Sequence, residues 1–304
     1  MTLRVFLTGG TGFVGRAVAS ALRARGDEVV GLSRRPGADV TGDPMVAGPW
    51  MDALRGCDAV LHLAGESIAS GRLGAAHRRR VLDSRVLGTR HVVAAIAAAP
   101  VGQRPRVLVS ASGVDRYAFD ESDRAHDEHA PPGDSFLADV CVAWEHEAEA
   151  ARSADARVIC LRPGLVLGTN GGAWPRIVAP FRLGLGGPLG SGRQWFSWVH
   201  EHDAVAACLH ALDHAPLDGP VNLVAPECVR SAQLASVLGR TLSRPARFAL
   251  PAPLVRLAVG GLAPYILGGR RVVPAALLRT GFTFRFGTLE RALPALLLRP
   301  AAQG

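Results

Sequence analysis

Hydrophobic positions in the first half of the chain alternate between two periods. Short apolar runs, "LRVFLT" (3–8), "EVVGLS" (28–33), "DAVLHLAG" (58–65), "RVLVS" (106–110) and "RVICLRPG" (157–164), read as buried strands. Between them, Val14 to Arg25 and His77 to Ala99 carry apolar residues at three- and four-residue steps, the period of an amphipathic helix. Strand, helix and strand at this spacing predict an α/β fold, with a parallel sheet covered on both faces. After Leu167 the texture changes to "GTNGGAWPRIVAPFRLGLGGPLGSGRQW". That passage is long for a plain connection, and such loops are commonly functional. Ser231 to Thr241 and Pro253 to Val259 then read as short helices, and Thr288 to Leu298 as a closing one. The expected division is a sheet domain over 1–167, followed by a substrate-side region and small C-terminal domain over 168–304.

Composition narrows the class. With 304 residues, 48% hydrophobic and 20% charged, the chain can bury a large core, and a soluble globular protein is expected. Met1 to Thr8 run into a strand without the basic flank and cleavage site of a secretion signal. The longest apolar stretch, Leu254 to Gly269, is broken by Arg256 and Pro264 and falls short of the ~20 residues of a membrane span. A cytoplasmic protein without a membrane partner is therefore expected. Cys57, Cys141, Cys160, Cys208 and Cys228 are odd in number and lack ligand spacing, so neither a disulfide framework nor a metal site is expected. A net charge of +8 raises the question of nucleic acid. With basic residues along the whole chain and only 6% aromatics, a generally basic surface is the better reading. All 34 Lys+Arg residues are arginine, which excludes any chemistry needing a lysine ammonium or a Schiff base.

The most informative stretch is "VFLTGGTGFVG", a strand followed by Gly9, Gly12 and Gly15 and then a helical pattern. Glycines at this spacing permit a tight turn and let the backbone approach a pyrophosphate at the unpaired N–H groups of the next helix. A triplet alone can be a plain turn in a chain with 35 glycines; its place between strand and helix points to dinucleotide binding. At the end of the second strand an NAD site usually carries an acidic residue for the ribose hydroxyls. Here the chain reads Ser33-Arg34-Arg35, a hydroxyl and two guanidiniums that suit a 2′-phosphate. The expected cofactor is NADP(H), the alternative being a solvated basic loop.

Together, "TGGTGFVG", "DAVLHLAG", "SAS" (110–112) and "LRPGLVLG" resemble the extended short-chain dehydrogenase/reductase superfamily. "LAGESIASGR", "LDSRVLGTR", "PFRLGLGGPLGSGRQWFSWVH" and "RVVPAALLRTGFTFRF" narrow the resemblance to its atypical YfcH-like epimerase-family subgroup, over nearly the whole chain. The resemblance implies a Rossmann doubly wound parallel sheet with a small C-terminal substrate-side domain. It also implies that Gly9, Gly12, Phe13, Val14 and Gly15 hold the pyrophosphate, and that Ser33 and Arg34, with Arg35, hold the 2′-phosphate. Leu63, Ala64 and Gly65 would form the adenosine side of the cleft. Glu66 and Arg85 would face the cofactor, and Pro163 and Gly164 would flank the nicotinamide. Relatives of this fold often dimerise, so a homodimer is a possible assembly.

Superfamily chemistry uses a hydroxyl after the strand at 106–110 and a YxxxK pair on the following helix, where the lysine helps the tyrosine exchange a proton. Ser112 supplies the hydroxyl, but aligning the helix on Trp144-Glu145 puts Leu137 and Cys141 at the pair, a departure the subgroup itself shows. Only two tyrosines exist, Tyr117 and Tyr265; Tyr117, in "SASGVDRYAF", is the expected proton donor. Asp115 in the same loop reads more readily as a turn-former, and Cys141 as packing. His200, with His202, Arg193, Trp195 and Trp198, is expected near the cleft as a further catalytic candidate, a structural hydrogen-bonding role being the stronger reading for it. These residues suit an oxidoreductase or epimerase acting on a small-molecule carbonyl, enone or nucleotide-sugar-like substrate. The competing class is a non-catalytic NADPH-binding redox sensor or scaffold.

Overall fold

Apolar runs without strict alternation are buried on both faces, which is the condition of a strand inside a parallel sheet. In the computed structural model, which describes residues 2–297, seven strands realise it. These are β1 (Arg4–Thr8), β2 (Glu28–Ser33), β3 (Val40–Thr41), β4 (Ala59–His62), β5 (Val107–Ala111), β6 (Arg157–Pro163) and β7 (Gly219–Leu223). Their order is β7-β6-β5-β4-β1-β2-β3, with every pairing parallel. The chain winds outward from β1 in both directions. A crevice therefore opens beyond the carboxyl ends of β1 and β4, where ligands bind in doubly wound sheets.

Successive residues of β1 point to opposite faces and build two cores. Val5 and Leu7 pack with Val18 and Leu22 of α1 (Phe13–Arg25) and Ala207 of α5 (Glu201–Asp213). Phe6 packs on the other side with Val92 and Ile96 of α2 (Ala75–Ala98) and Ala148 of α3 (Phe136–Glu149). A third core belongs to the second half. It joins Trp174 and Phe181 of α4 (Trp174–Arg182), Leu234 and Leu238 of α6 (Ser231–Thr241), Trp198, and Leu293 of the closing helix Leu289–Leu297. The helix expected to reach Leu298 is seen to Leu297, Leu298 lying outside the described residues.

Two expectations change. The sheet does not end at residue 167, because α5 and β7 return to complete it from the second half. β7 carries Pro220, which cannot donate to a ladder; as an edge strand it pairs only with β6 and tolerates the loss. The glycine- and proline-rich passage also contains a helix, α4, with prolines at positions 175 and 180. Pro175 sits in the first turn, where no intrahelical N–H bond is required, and Pro180 falls near the end.

A buried polar chain fastens the strand ends beneath the crevice. Thr8 Oγ1 lies 2.7 Å from His62 Nδ1, and His62 Nε2 lies 3.0 Å from Thr89 Oγ1 on α2. Complete burial pushes the His62 pKa down to about 4, so the ring is neutral at pH 7. The unfolded chain binds this proton near pH 6.5 and the folded chain does not, so stability falls as pH drops from about 6.5 to about 4. We expect a loss on the order of 3 kcal/mol from this residue across that window, read as a fall in urea midpoint. His62→Asn should be less stable at pH 7 and show a flatter profile; a profile unchanged by the substitution would reject the assignment.

Candidate functional site

The crevice is built on the glycine loop. Gly9 has φ +74°, and a Cβ there would stand 2.7 Å from the Leu63 carbonyl carbon, so this turn lies directly on the end of β4. A methyl on Gly15 would overlap the Gly9 carbonyl oxygen, so helix and loop can approach this closely only without a side chain. Gly12 caps α1 with no side-chain bond, which leaves first-turn N–H groups free for an anion. The Phe13 ring packs against the backbone of Gly168, Gly171 and Gly172, bringing the glycine-rich passage beside the loop. Val14 packs on the α1 core.

At the end of β2, Ser33 Oγ accepts the Arg35 N–H at 3.1 Å, and Arg34 and Arg35 extend into solvent. Neither arginine pairs with a carboxylate among the described residues. Leu63 N–H bonds Thr8 O and Ala64 N–H bonds Thr8 Oγ1, which fixes the 63–65 segment beside the loop. Gly65 faces the guanidinium of Arg85. Glu66 turns its carboxylate to Ser70 Oγ at 3.1 Å, and its carbonyl accepts from Arg85 Nη1 at 3.0 Å. Pro163 ends β6, and Gly164 bonds Leu223 O and lies against the Ser197 backbone.

Arg85 is the unusual group here. The residue is only 9% exposed, stacks its guanidinium over Trp144, and has no carboxylate partner among the described residues. Its donors reach carbonyls of Val81 and Glu66 and the Ser84 hydroxyl, all through Nη1. Burial lowers its pKa because nothing nearby compensates the charge fully. A cation desolvated at a crevice wall without a protein anion is suited to an anionic ligand.

The catalytic expectations fare differently. Ser112 donates to Glu145 Oε1 at 2.7 Å, so its one proton is already committed. Tyr117 is 1% exposed; its oxygen accepts from Arg162 Nη1 at 2.7 Å and it donates to Asn222 Oδ1 at 2.7 Å. Burial pushes the phenol pKa up despite Arg162. Both residues belong to one buried network, in which Arg162 grips Glu145 with two 2.7 Å bonds and also donates to Glu128 O. The expected donor Tyr117 therefore holds the interior together and does not face the crevice.

His200 takes the structural role that is the stronger reading for it, as a helix cap. Its Nδ1 accepts the His202 N–H at 3.0 Å at the start of α5, and its ring stacks on Phe286 at 4.0 Å. Burial pushes its pKa down to about 4, so the ring is neutral, not an imidazolium acid, at neutral pH. Trp198 is in the core, Trp195 binds Ser122 O beneath Arg230, and Arg193 and His202 are exposed. Asp115 is paired with Arg270 at 2.9 Å. Cys141 is buried, and that burial pushes its thiol up to about 12, so it stays protonated.

Helix α3 carries neither tyrosine nor lysine, and Leu137 is packed with Leu73, Val81 and Val140. At its first turn stands a residue that sequence patterning did not single out. Tyr265, from the short helix Ala263–Leu267, accepts the Leu137 N–H at 3.2 Å and packs its ring 5.6 Å from Phe119. Its own proton has no protein acceptor among the described residues, and the side chain is half-buried. The C-terminal region thus brings a phenol to the helix position where the tyrosine of the resemblance is missing.

Comparison with known proteins agrees with the fold. Residues 5–223 match the model of the NAD dependent epimerase/dehydratase family, and residues 250–296 match DUF1731, a domain of unknown function. The chain is 39% identical to the epimerase family protein SDR39U1 of Bos taurus, the match covering 97% of this chain and 100% of that one. It is 38% identical to the epimerase family protein Mb2239 of Mycobacterium bovis, over 97% and 98% of the two chains. The crystal structure of human SDR39U1 (isoform 2) with NADPH superposes with a TM-score of 0.88 at 37% identity, covering 97% of this chain and 99% of that one.

Proposed function

The chain belongs to the NAD dependent epimerase/dehydratase family, and from that premise we propose that it is an NADP(H)-dependent oxidoreductase or epimerase. Its substrate class is a small-molecule carbonyl, enone or nucleotide-sugar-like compound, and its setting is the cytosol. The observation that carries the reading is the pairing of a side-chain-free glycine cradle with unpaired arginines at the end of β2 and at Arg85. Gly9 and Gly12 shape the turn, the free backbone N–H groups of Phe13, Val14 and Gly15 hold the pyrophosphate, and Leu63 to Gly65 border the adenosine. Ser33, Arg34 and Arg35 hold the 2′-phosphate, whose charge a carboxylate at this position would repel. Arg85 supplies a further positive charge at the wall. When bound, the cofactor supplies a hydride to an electrophilic carbon.

The proton comes from the chain. Ser112 and Tyr117 are committed to the buried network, so we assign proton transfer to Tyr265. The Leu137 N–H, at the positive end of α3, faces the oxygen that is left negative once the proton has gone. That arrangement takes the place of an ammonium in a chain without lysine.

Replacing Arg34 and Arg35 together by alanine tests the cofactor assignment. Charge-assisted bonds to phosphate at an exposed site predict an affinity loss of about tenfold to a hundredfold for NADPH and little change for NADH. Nicotinamide fluorescence titration reads both; an equal loss for the two cofactors, or no loss, rejects the 2′-phosphate site.

One observation favours a second reading, a redox sensor: α3 lacks both members of the usual pair. A sensor binds NADPH tightly and shows no substrate-dependent oxidation of it, in the native chain or in Tyr265→Phe.

A further inference from the structure

The positive charge of this chain is concentrated once the fold is known. Between Glu227 and Glu290 the sequence contains nine arginines and no Asp or Glu, and between Asp155 and Glu201 it again has no acid. The two acid-free stretches meet. Phe248 N–H bonds Gly186 O at 3.2 Å, Leu250 N–H bonds Pro188 O at 3.0 Å, and Gly190 N–H bonds Leu250 O at 2.9 Å.

Along this seam large apolar side chains stand in water. Leu183 and Leu257 are each 75% exposed, and Leu185, Phe248, Leu250 and Leu254 are exposed with them. The helix Ala252–Val259 buries only Val255. Other exposed large apolar residues, Val46, Val101, Val142 and Leu278, are scattered over the remaining surface. Monomeric soluble proteins rarely concentrate such groups without a use for them. Arg240, Arg244 and Arg247 line an open pocket with Pro188, and Arg182 and Arg256 lie in the same segments. None of these five arginines pairs with a carboxylate among the described residues.

We propose that this face docks on an anionic lipid surface, its leucines and Phe248 entering the headgroup layer and its arginines meeting lipid phosphates. Charge complementarity decides the occupant. A second copy in a two-fold contact would set arginines against arginines, which costs affinity. A nucleic acid would satisfy the arginines but leave the leucines in water, since its outer surface is phosphate and sugar. An anionic bilayer uses both, because apolar burial and basic attraction add there. Among the described residues no helix is long and apolar enough to cross a membrane, so the contact is with the surface. It is independent of the cofactor reading.

The test is flotation of the full chain, with NADPH present, on vesicles of phosphatidylcholine alone and of phosphatidylcholine with phosphatidylglycerol. Recovery is expected with the second and not the first, and should fall as salt rises. Leu254→Asp with Leu257→Asp, and separately Arg244→Ser with Arg247→Ser, should each cut partitioning by about tenfold or more, with NADPH affinity unchanged. Absence of recovery on the phosphatidylglycerol-containing vesicle overturns the proposal. So does loss in the arginine variant alone, which assigns a purely electrostatic partner such as a nucleic acid. A dimer that Leu257→Asp dissociates, with lipid having no effect, assigns the face to a second copy instead.

Discussion

Tyr265→Phe is expected to lower kcat by about 10²–10⁴-fold while leaving NADPH affinity unchanged, the cost of losing one positioned proton donor. The substitution removes a single oxygen and keeps the ring against Phe119, so folding should be nearly unaffected. Tyr117→Phe gives the opposite pattern. It strips Arg162 of an acceptor and Asn222 of a donor inside the protein, which costs about 1–3 kcal/mol of stability. Steady-state kinetics beside urea unfolding separates the two tyrosines. If Tyr117→Phe abolishes turnover at full stability and Tyr265→Phe leaves turnover intact, the proton assignment is wrong.

The second large effect concerns the network itself. Glu145→Gln should destabilise the fold by about 3–5 kcal/mol, because it leaves Arg162 charged, 3% exposed and without its counter-ion. Burial lowers the Arg162 pKa, and only the bonds and charge of Glu145 together with Tyr117 turn the net direction upward. Without Glu145 the guanidinium still stays protonated, because its ordinary pKa lies far above neutral. Arg162→Met combined with Glu145→Gln should lose less than the two single losses added, since the stranded charge disappears in the pair. Denaturant midpoints of the four proteins give the comparison. Additive losses would show that the two groups are not coupled.

The glycine turn and the end of β2, on which the proposed cofactor site rests, were legible because their geometry is local. Gly9, Gly12 and Gly15 act through the backbone of consecutive turns, and Ser33 to Arg35 follow directly from the end of a strand. The sequence spacing alone places them at one crevice. The surroundings of the catalytic candidates were not legible, because their partners are separated by long stretches of chain. Ser112 meets Glu145, and Tyr117 meets Arg162 and Asn222, through packing of α3 and β6 that no periodicity encodes. One signal was available: Arg162 interrupts the apolar run of β6, and an arginine inside a core strand demands a buried carboxylate. Tyr265 illustrates the same limit. Its segment reads as an interrupted apolar stretch, and only the fold of the C-terminal region carries it to the first turn of α3. For His200 the structural reading was already the stronger one, since a histidine before a helix suits a cap as well as a catalyst, and its cap bond to His202 N–H accords with it. The sheet boundary moved because β7 is short, contains Pro220, and follows a texture change that looked like the end of the domain.

The central claim is that this crevice moves a hydride between NADP(H) and a small molecule. Its most direct test is stopped-flow nicotinamide fluorescence of the NADPH-loaded protein mixed with a panel of carbonyls, enones and nucleotide sugars. The account predicts substrate-dependent loss of emission for at least one class, abolished in Tyr265→Phe with the cofactor still bound. Tight NADPH binding with no loss of emission across the whole panel would contradict it and assign the protein to sensing.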